Sequence, residues 1–317
     1  MGNTQANGIV FHGQAILTAI LASLVRNHGL GSMPGQRLLF GGCSAGARGA
    51  AFTLDYVPAL LQAAGANYQP VLTGFLDSPL WLDVQPLATA PLSLQCQAQA
   101  AVGYLNATAR LGASCAAAYP SPQDQWRCLF GEYRIPLLKT PYGLSQNQYD
   151  SFQLEYALGG SMPPIYPNQV AYADAFGEAM EGVLSTLPSS SNGPGSAIFS
   201  PACFDHCLTL TAAFWSVQSE GVTLSEAARW WLFGGCPPSD CEGGKTPDQV
   251  IEHCSEGYHA CKTKCTTKHS TKGGKHKARE KKVFTWHAGM PTPPAPQVPL
   301  ACDAGPPVPT LPGQQRR

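Results

Sequence analysis

Three residues of different chemical types, Ser44, Asp150 and His206, stand along the chain in the order nucleophile, acid and base. A serine hydroxyl attacks an ester carbonyl when a histidine takes its proton and a carboxylate orients that histidine. Five of the eight histidines lie at or beyond His253 and two precede the serine, which leaves His206 in the expected place. The order predicts acyl transfer through a serine nucleophile.

Ser44 lies in the glycine-rich stretch Gly41 to Gly46, between the apolar run Leu38 to Phe40 and a long segment of small and apolar residues, 47–64. The pattern predicts a strand, a sharp turn and a helix, and it fits the nucleophile elbow of α/β-hydrolases. The first N–H groups of the helix would point at the same place, so we expect the N–H of Ala45 to bind a developing oxyanion. Ser44 could instead serve only as a helix N-cap.

The acid of this arrangement has two candidates. Asp150 follows a run from Tyr133 to Tyr142 that predicts a third strand, although Asp150 could instead cap a helix that starts at Ser151. Asp77 ends a second predicted strand, 70–77, and chemistry in open α/β sheets collects at that end. We expect Asp77 to be structural or to line the substrate pocket with Trp81.

The candidate base, His206, follows a short apolar run, 197–199, that predicts another strand. His206 could instead be a buried, hydrogen-bonded histidine between Cys203 and Cys207. Helices are predicted at 12–28, 92–111, 171–187 and 223–233, and the last would bury Trp230 or Trp231. Because strands and helices alternate, the predicted fold class is α/β, with a mainly parallel sheet covered by helices.

Composition limits the partners of the molecule as a whole. The chain has 317 residues, 44% of them hydrophobic and 13% charged, with a formal net charge of zero. This balance gives no electrostatic reason to expect nucleic acid or an anionic membrane as a partner. No uninterrupted apolar run has the length of a transmembrane helix, so no membrane span is expected.

Twelve cysteines are typical of a disulfide-bonded secreted protein. Several lie near one another, such as Cys115 and Cys128, but the sequence does not give their pairing. Asn106-Ala107-Thr108 is a glycosylation sequon, which supports a secretory route weakly. The first residues lack a basic region followed by an apolar one, so no signal peptide is visible.

The composition changes from about Glu242. Nine lysines and arginines lie between Lys262 and Lys282, and a proline-rich segment runs from Pro291 to Pro312. Such segments are typical of extended, disordered chain. We therefore predict one α/β-hydrolase-like domain over 1–241 and a largely disordered tail over 242–317, whose basic run could bind polyanions.

The tail also contains ligand types for a zinc site. Cys254, Cys261, Cys265 and His269 are separated by six, three and three residues, which is not a familiar ligand pattern. Disulfides or unpaired thiols explain these cysteines better.

Six ordered stretches carry a resemblance to the pectin acetylesterase and Notum family of α/β-hydrolases, over roughly residues 9 to 241. They are Phe11-His12-Gly13, Gly42 to Gly46, Asp77 to Asp83, Trp126 to Phe130 with Asn147 to Gln153, Ser200 to Cys207, and Cys236 to Cys241. The resemblance implies Ser44 as nucleophile, His206 as general acid and base, and Asp150 as the residue that orients it. It also implies a secreted or cell-wall carboxylesterase without a cofactor.

The substrate that the resemblance implies is an acylated polysaccharide or an acylated protein. The first is an acetylated, pectin-like cell-wall polysaccharide, deacetylated through an acyl-serine intermediate. The alternative is a Notum-like removal of a fatty acyl group from a protein.

The chain departs from the family pattern in two places. Family members carry a strand and a Gly-Gly-Gly-Trp loop upstream of the segment that resembles Phe11-His12-Gly13, and Met1 to Ile9 is too short to hold them. We therefore expect one or more N-terminal strands and one oxyanion donor to be missing. Loss of one such donor typically lowers kcat by about 10²- to 10³-fold. Ala47-Arg48 stands where the family usually continues with glycine, which narrows the site. A third alternative is therefore an inactive, truncated relative that only binds glycans.

Overall fold

A computed structural model describes residues 4–6, 9–87, 93–105, 111–160, 164–187, 196–219, 221–233 and 249–251. Strands β1 (Thr4–Ala6) and β2 (Ile9–Phe11) form an antiparallel pair. The main sheet is parallel and has five strands in spatial order: β3 (Arg37–Cys43), β4 (Val71–Asp77), β5 (Tyr142–Ser145), β6 (Ala197–Ser200) and β9 (Gln249–Ile251). A second antiparallel pair is β7 (Gln218–Ser219) with β8 (Val222–Thr223).

Helices connect the parallel strands, as crossover connections require. They are α1 (Gly13–His28), α2 (Ala45–Thr53), α3 (Val57–Ala63), α4 (Leu94–Leu105), α5 (Ala113–Ala118), α6 (Gly131–Arg134), α7 (Ser151–Ala157), α8 (Pro167–Thr186), α9 (Ala213–Ser216) and α10 (Leu224–Phe233). Short 3₁₀ segments are Leu54–Tyr56, Gln125–Leu129, Ile135–Leu137 and Leu208–Leu210. The predicted α/β class, with a parallel sheet flanked by helices, is confirmed. None of the helices in these described ranges is both long and apolar enough to cross a membrane.

The largest core cluster lies between the sheet and its covering helices. Helix α8 contributes a stripe of buried residues spaced three or four apart: Ala173, Phe176, Met180 and Leu184. Strands β4, β5 and β6 contribute Leu76, Leu144 and Ile198 to the same cluster. Burial of such side chains stabilises the fold by about 1.5–3 kcal/mol each. The core therefore fixes the carboxyl ends of the central strands relative to one another.

Several predicted elements are found with small shifts in their bounds. Helix α1 begins one residue later than the predicted 12–28, and it ends at Gly29, whose φ of 70° is a left-handed C-cap. Strand β4 matches the predicted 70–77, and α10 matches 223–233. The indole of Trp231 is half-buried and lies against Gly143, while the side chain of Trp230 lies outside the described residues.

The third strand was predicted in the wrong place. Residues 133–142 contain the end of α6 and a 3₁₀ segment, and the strand is Tyr142–Ser145 instead. Proline explains the shift, since Pro136 and Pro141 have no N–H to donate to a sheet. The 3₁₀ segment begins one residue before the first of them, and the strand begins directly after the second. Asp150 therefore lies five residues beyond the strand.

Some predictions concern residues outside the described ranges. Helix α4 fills part of the predicted 92–111, but the glycosylation sequon at 106–108 lies outside them. So do the four tail residues weighed as zinc ligands and the whole of 252–317. Strand β9 lies within 242–317 and pairs with β6. The domain boundary at 241 and the disorder of the tail stay predictions.

Candidate active site

Ser44 occupies a strained turn between β3 and α2. Its φ of 53° and ψ of −119° are rare for a residue with a side chain, and such strain is found at functional sites. The turn is tight, because a Cβ on Gly42 would lie 2.7 Å from the carbonyl carbon of Gly46. The N–H of Ser44 donates to the carbonyl oxygen of Asp77 at 2.8 Å, which ties the turn to the end of β4. This is the geometry of a nucleophile elbow.

Asp150 and His206 form a hydrogen-bonded pair. Nδ1 of His206 lies 2.7 Å from Oδ2 of Asp150, whose side chain is fully buried. Oδ1 of the same carboxylate accepts a hydrogen bond from the N–H of Gln153 at 3.0 Å, so it also caps α7. One oxygen thus caps the helix and the other contacts the imidazole. The catalytic role of Asp150 stays a prediction.

The imidazole of His206 has one nitrogen still to use. Its Nε2 is buried and has no hydrogen-bond partner among the described residues. Burial disfavours the charged imidazole and lowers its pKa, but the hydrogen bond and charge of Asp150, with the charges of Asp77 and Asp205, outweigh it. The pKa of His206 therefore lies above its ordinary value of 6.5. A base with a raised pKa and a free Nε2 is ready to accept a proton.

A disulfide links the chain segments of Ser44 and His206, although no hydrogen bond joins Oγ of Ser44 to Nε2 of His206. Cys43, directly before Ser44, is bonded to Cys207, directly after His206, and their Cα atoms are 5.6 Å apart. The cysteines are 164 residues apart in sequence. Cys207 itself has a φ of 62°, in the left-handed region. The covalent link therefore joins the two chain segments that carry the predicted nucleophile and the predicted base.

Asp77 is placed differently from Asp150. It is fully buried at the end of β4, and its Oδ2 accepts a hydrogen bond from the N–H of Thr209 at 2.8 Å. The neighbouring Ser78, with a φ of 55°, accepts the N–H of Cys207 on its Oγ at 3.0 Å. These contacts hold the loop that follows His206. Asp77 thus fixes the loop, while Asp150 is the carboxylate bonded to the imidazole.

Aromatic side chains extend from the imidazole. Phe152 is 40% exposed, and its ring stacks on His206 with centroids 5.5 Å apart. Trp81 also stacks on Phe152, with ring centroids 5.8 Å apart. The guanidinium carbon of Arg48 lies 3.4 Å from the centre of the Trp81 ring. The predicted pocket residue Trp81 is thus part of a column of stacked groups that ends at the base.

Ala45 is the first residue of α2. Its N–H is one of the first four of the helix, which have no carbonyl partner within it, and the positive end of the helix dipole lies there. The predicted oxyanion donor is therefore placed directly beside Ser44. Its role stays a prediction.

Two glutamines that the sequence motifs did not indicate as functional contact Asp150. Nε2 of Gln146 donates to Oδ2 of Asp150 at 3.2 Å, and its Oε1 accepts the N–H of Leu80 at 3.0 Å. Gln153 accepts the N–H of Leu82 on Oε1 at 2.8 Å and donates to the carbonyl of Leu80 at 2.9 Å. An amide four residues before the acid and another three after it are the only signals that the sequence offers.

One cluster near the elbow includes metal-binding residue types. The sulfurs of Cys43 and Cys207 and a carboxylate oxygen of Asp77 lie within 4.8 Å of one another. The sulfurs are bonded to each other in a disulfide, and only a thiolate ligates metals well. The cluster is therefore a structural feature of the loop.

A parallel sheet covered by helices, with an elbow serine whose segment is disulfide-linked to that of an Asp–His pair, defines the α/β-hydrolase class. The Pectinacetylesterase family model matches residues 1–266. The chain belongs to the pectinacetylesterase family, whose members are carboxylic ester hydrolases. The recognition made from the sequence motifs is confirmed.

Named relatives come from both branches of the family. The chain is 28% identical to the palmitoleoyl-protein carboxylesterase NOTUM of Drosophila melanogaster over 70% of its own length and 31% of that protein's. It is 22% identical to pectin acetylesterase 7 of Arabidopsis thaliana, over 74% of this chain and 63% of the relative. It therefore spans less than two thirds of either relative.

A solved structure of a Notum protein has a similar fold. The crystal structure of the Wnt deacylase Notum from Drosophila aligns with a TM-score of 0.65 and 26% identity, covering 81% of this chain and 66% of that one. The α/β-hydrolase-like fold is therefore shared with Notum.

Proposed function

We propose that this chain is a serine carboxylesterase that removes O-acetyl groups from a pectin-like polysaccharide through an acyl-serine intermediate. The observation that carries the proposal is the 2.7 Å bond from Asp150 to Nδ1 of His206, with Nε2 unpartnered and the elbow of Ser44 linked to the same loop by a disulfide. This is the arrangement that a base needs to activate a serine.

The reaction follows from these positions. Oγ of Ser44 bonds to the ester carbonyl carbon while Nε2 of His206 takes the hydroxyl proton. The N–H of Ala45 stabilises the oxyanion, the C–O bond to the sugar breaks, and Nε2 returns the proton to the leaving alcohol. Water then attacks the acyl-serine with the same base and releases acetate. Asp150 stabilises the imidazolium in both steps.

A polar substrate is favoured by the charge beside the elbow. Arg48 lies one turn beyond Ser44 in α2, and its guanidinium lies over Trp81. A long acyl chain packed there would bury this charge further, and a buried unpaired charge is costly. An acetyl ester on a sugar leaves the guanidinium in contact with polar groups.

A second candidate is removal of a long acyl group from a protein. It is favoured by the relatives, since the Drosophila protein, 28% identical, is a palmitoleoyl-protein carboxylesterase and the aligned crystal structure is that of a Wnt deacylase. The two candidates differ in the acyl chain they accept.

The test is a series of p-nitrophenyl esters from acetate to octanoate. Acetate preference supports the first candidate, and octanoate preference supports the second. The Ser44→Ala variant should abolish turnover and labelling by a fluorophosphonate probe. A folded wild-type protein that neither turns over esters nor takes the probe would refute both and leave a glycan-binding protein without catalysis.

We also propose an extracellular or cell-wall location for this enzyme. Cys43 is bonded to Cys207 and Cys115 to Cys128, and disulfides persist in oxidising compartments. Detection of the protein outside the cell membrane, with both bonds intact by mass spectrometry of peptides, would test this.

A further inference from the structure

Arg48 lies in the first turn of α2, directly after the turn that carries Ser44. Its backbone N–H donates to the carbonyl oxygen of Ser44 at 2.9 Å, so the two residues are one helical turn apart. Arg48 is the fourth residue of α2, whose N-cap is Ser44. Its backbone is therefore held within one turn of the residue proposed as nucleophile.

The guanidinium is also linked to the base by stacked rings. It lies 3.4 Å from the Trp81 centroid, Trp81 stacks on Phe152, and Phe152 stacks on His206. The ring planes are within 17° and 29° of parallel at the two aromatic contacts. The column thus runs from the catalytic imidazole to a positive charge.

This charge has no counter-ion among the described residues. Arg48 takes part in no ion pair there, its Nε is buried without a hydrogen-bond partner, and burial lowers the pKa of its guanidinium to about 10. Arg127, which also lies near aromatic rings, pairs with Asp124 at 3.4 Å. The buried Arg134 donates to the backbone carbonyls of Ala51 and Leu111. Arg48 is thus the partly desolvated arginine whose charge is left for a ligand.

We propose that Arg48 binds a carboxylate of the pectin-like chain whose ester is cleaved at Ser44. This inference rests on the proposed function and adds the residue that binds the carboxylate of the substrate. The planar guanidinium fork matches a carboxylate with two parallel hydrogen bonds, and desolvation strengthens them. Phe152 is 40% exposed, and its uncovered edge presents apolar surface to the sugar between the carboxylate and the ester.

The first test compares acidic with neutral substrates in Arg48 variants. The measured quantity is kcat/KM for acetylated polygalacturonate divided by kcat/KM for acetylated xylan. Arg48→Gln should lower this ratio by about 10- to 100-fold, the amount that a hydrogen-bonded charge is worth. Arg48→Lys keeps the charge without the fork, so it should lower the ratio less. It also provides a second variant should Arg48→Gln fail to fold.

Arg127→Gln is the matched control, because Arg127 also lies near aromatic rings but already has a carboxylate partner. It should leave the ratio as in the wild type. If Arg48→Gln lowers both rates equally and leaves the ratio unchanged, Arg48 only packs against Trp81 and the proposal is overturned.

The second test does not need turnover. Calorimetric titration of the Ser44→Ala variant with an unacetylated oligogalacturonate should show binding that weakens about 10-fold or more when Arg48→Gln is added. A neutral galactan oligomer should bind alike to both proteins. Equal oligogalacturonate affinity with and without Arg48 would overturn the inference. A wild-type chain that binds it through Arg48 but cleaves no ester would overturn the proposed function alone.

Discussion

Two disulfides mark two regions that are held together in different ways. The bond from Cys43 to Cys207 closes a sequence separation of 164 residues at the carboxyl ends of the parallel strands. The bond from Cys115 to Cys128 closes a separation of 13 residues among helices. Each bond lowers the entropy of the unfolded chain and so stabilises the folded state. By loop length, the first bond contributes about 5 kcal/mol and the second about 3 kcal/mol to the free energy of unfolding.

The surroundings of the two bonds differ more than their loop lengths. Around Cys43 and Cys207 lie buried polar groups, and the non-glycine residues found with positive φ in the described ranges are Ser44, Ser78 and Cys207. The other bond lies in an apolar cluster with Trp126 and Phe130, whose rings meet edge to face at 5.4 Å. The first region stores strain where chemistry is proposed, and the second buries apolar surface. We therefore expect changes in the first to alter rate and changes in the second to alter stability.

The largest effect should come from Ser44→Ala. Loss of the nucleophile should lower kcat on p-nitrophenyl acetate by about 10⁴- to 10⁶-fold. The Tm should not fall, because the variant keeps the backbone and removes one hydroxyl. A decrease in kcat below tenfold would contradict the assignment of this region as catalytic.

Asp150→Asn should lower kcat by about 10⁴-fold, because a neutral amide neither holds the imidazole in the required tautomer nor stabilises the imidazolium. It should also change the pH profile. In the wild type, the pKa of His206 is raised above 6.5, so kcat/KM should rise with pH through a midpoint above that value as the base loses its proton. The variant removes the hydrogen bond and charge that raise the pKa, so its residual activity should have a lower midpoint. An unchanged midpoint would mean that another group titrates.

Replacing Cys43 and Cys207 together by serine should lower both kcat and Tm. A loss of positioning of about 1 Å costs on the order of 10²-fold in rate. Dithiothreitol should have a similar effect on the wild type. The measurement is kcat at a temperature where thermal unfolding curves show the variant to be folded. Full activity at that temperature would contradict the expected difference between the two regions, because the bond between Cys43 and Cys207 would then contribute only to stability.

Replacing Cys115 and Cys128 by serine should have the smallest effect on rate. The free energy of unfolding should fall by about 3 kcal/mol in urea titrations, because the closed loop is lost. The kcat of the folded variant should stay within about threefold of the wild type, since the bond lies outside the residues assigned to the chemistry. A loss of activity as large as that expected for the other pair would remove the distinction between the two regions.

Local signals in the sequence were reliable where neighbouring residues decide the structure. The glycines around Ser44 predicted the elbow, and Asn27-His28-Gly29 predicted the end of α1. The third strand was misplaced because an apolar run with two prolines satisfies a strand pattern only until the missing N–H groups are counted. The pairing of Cys207 with Cys43 could not be deduced, because sequence proximity favoured other partners.

The sequence by itself determined the family, the α/β class and the residue types of the candidate triad, because these depend on motifs a few residues long and on their order. The tertiary structure decided that Asp150 rather than Asp77 meets His206, and that one carboxylate both orients the base and caps a helix. It also placed Arg48 on Trp81 with no partner among the described residues. The physical reason is that hydrogen bonds, stacking and desolvation depend on distances between segments far apart in the chain, which no local pattern records.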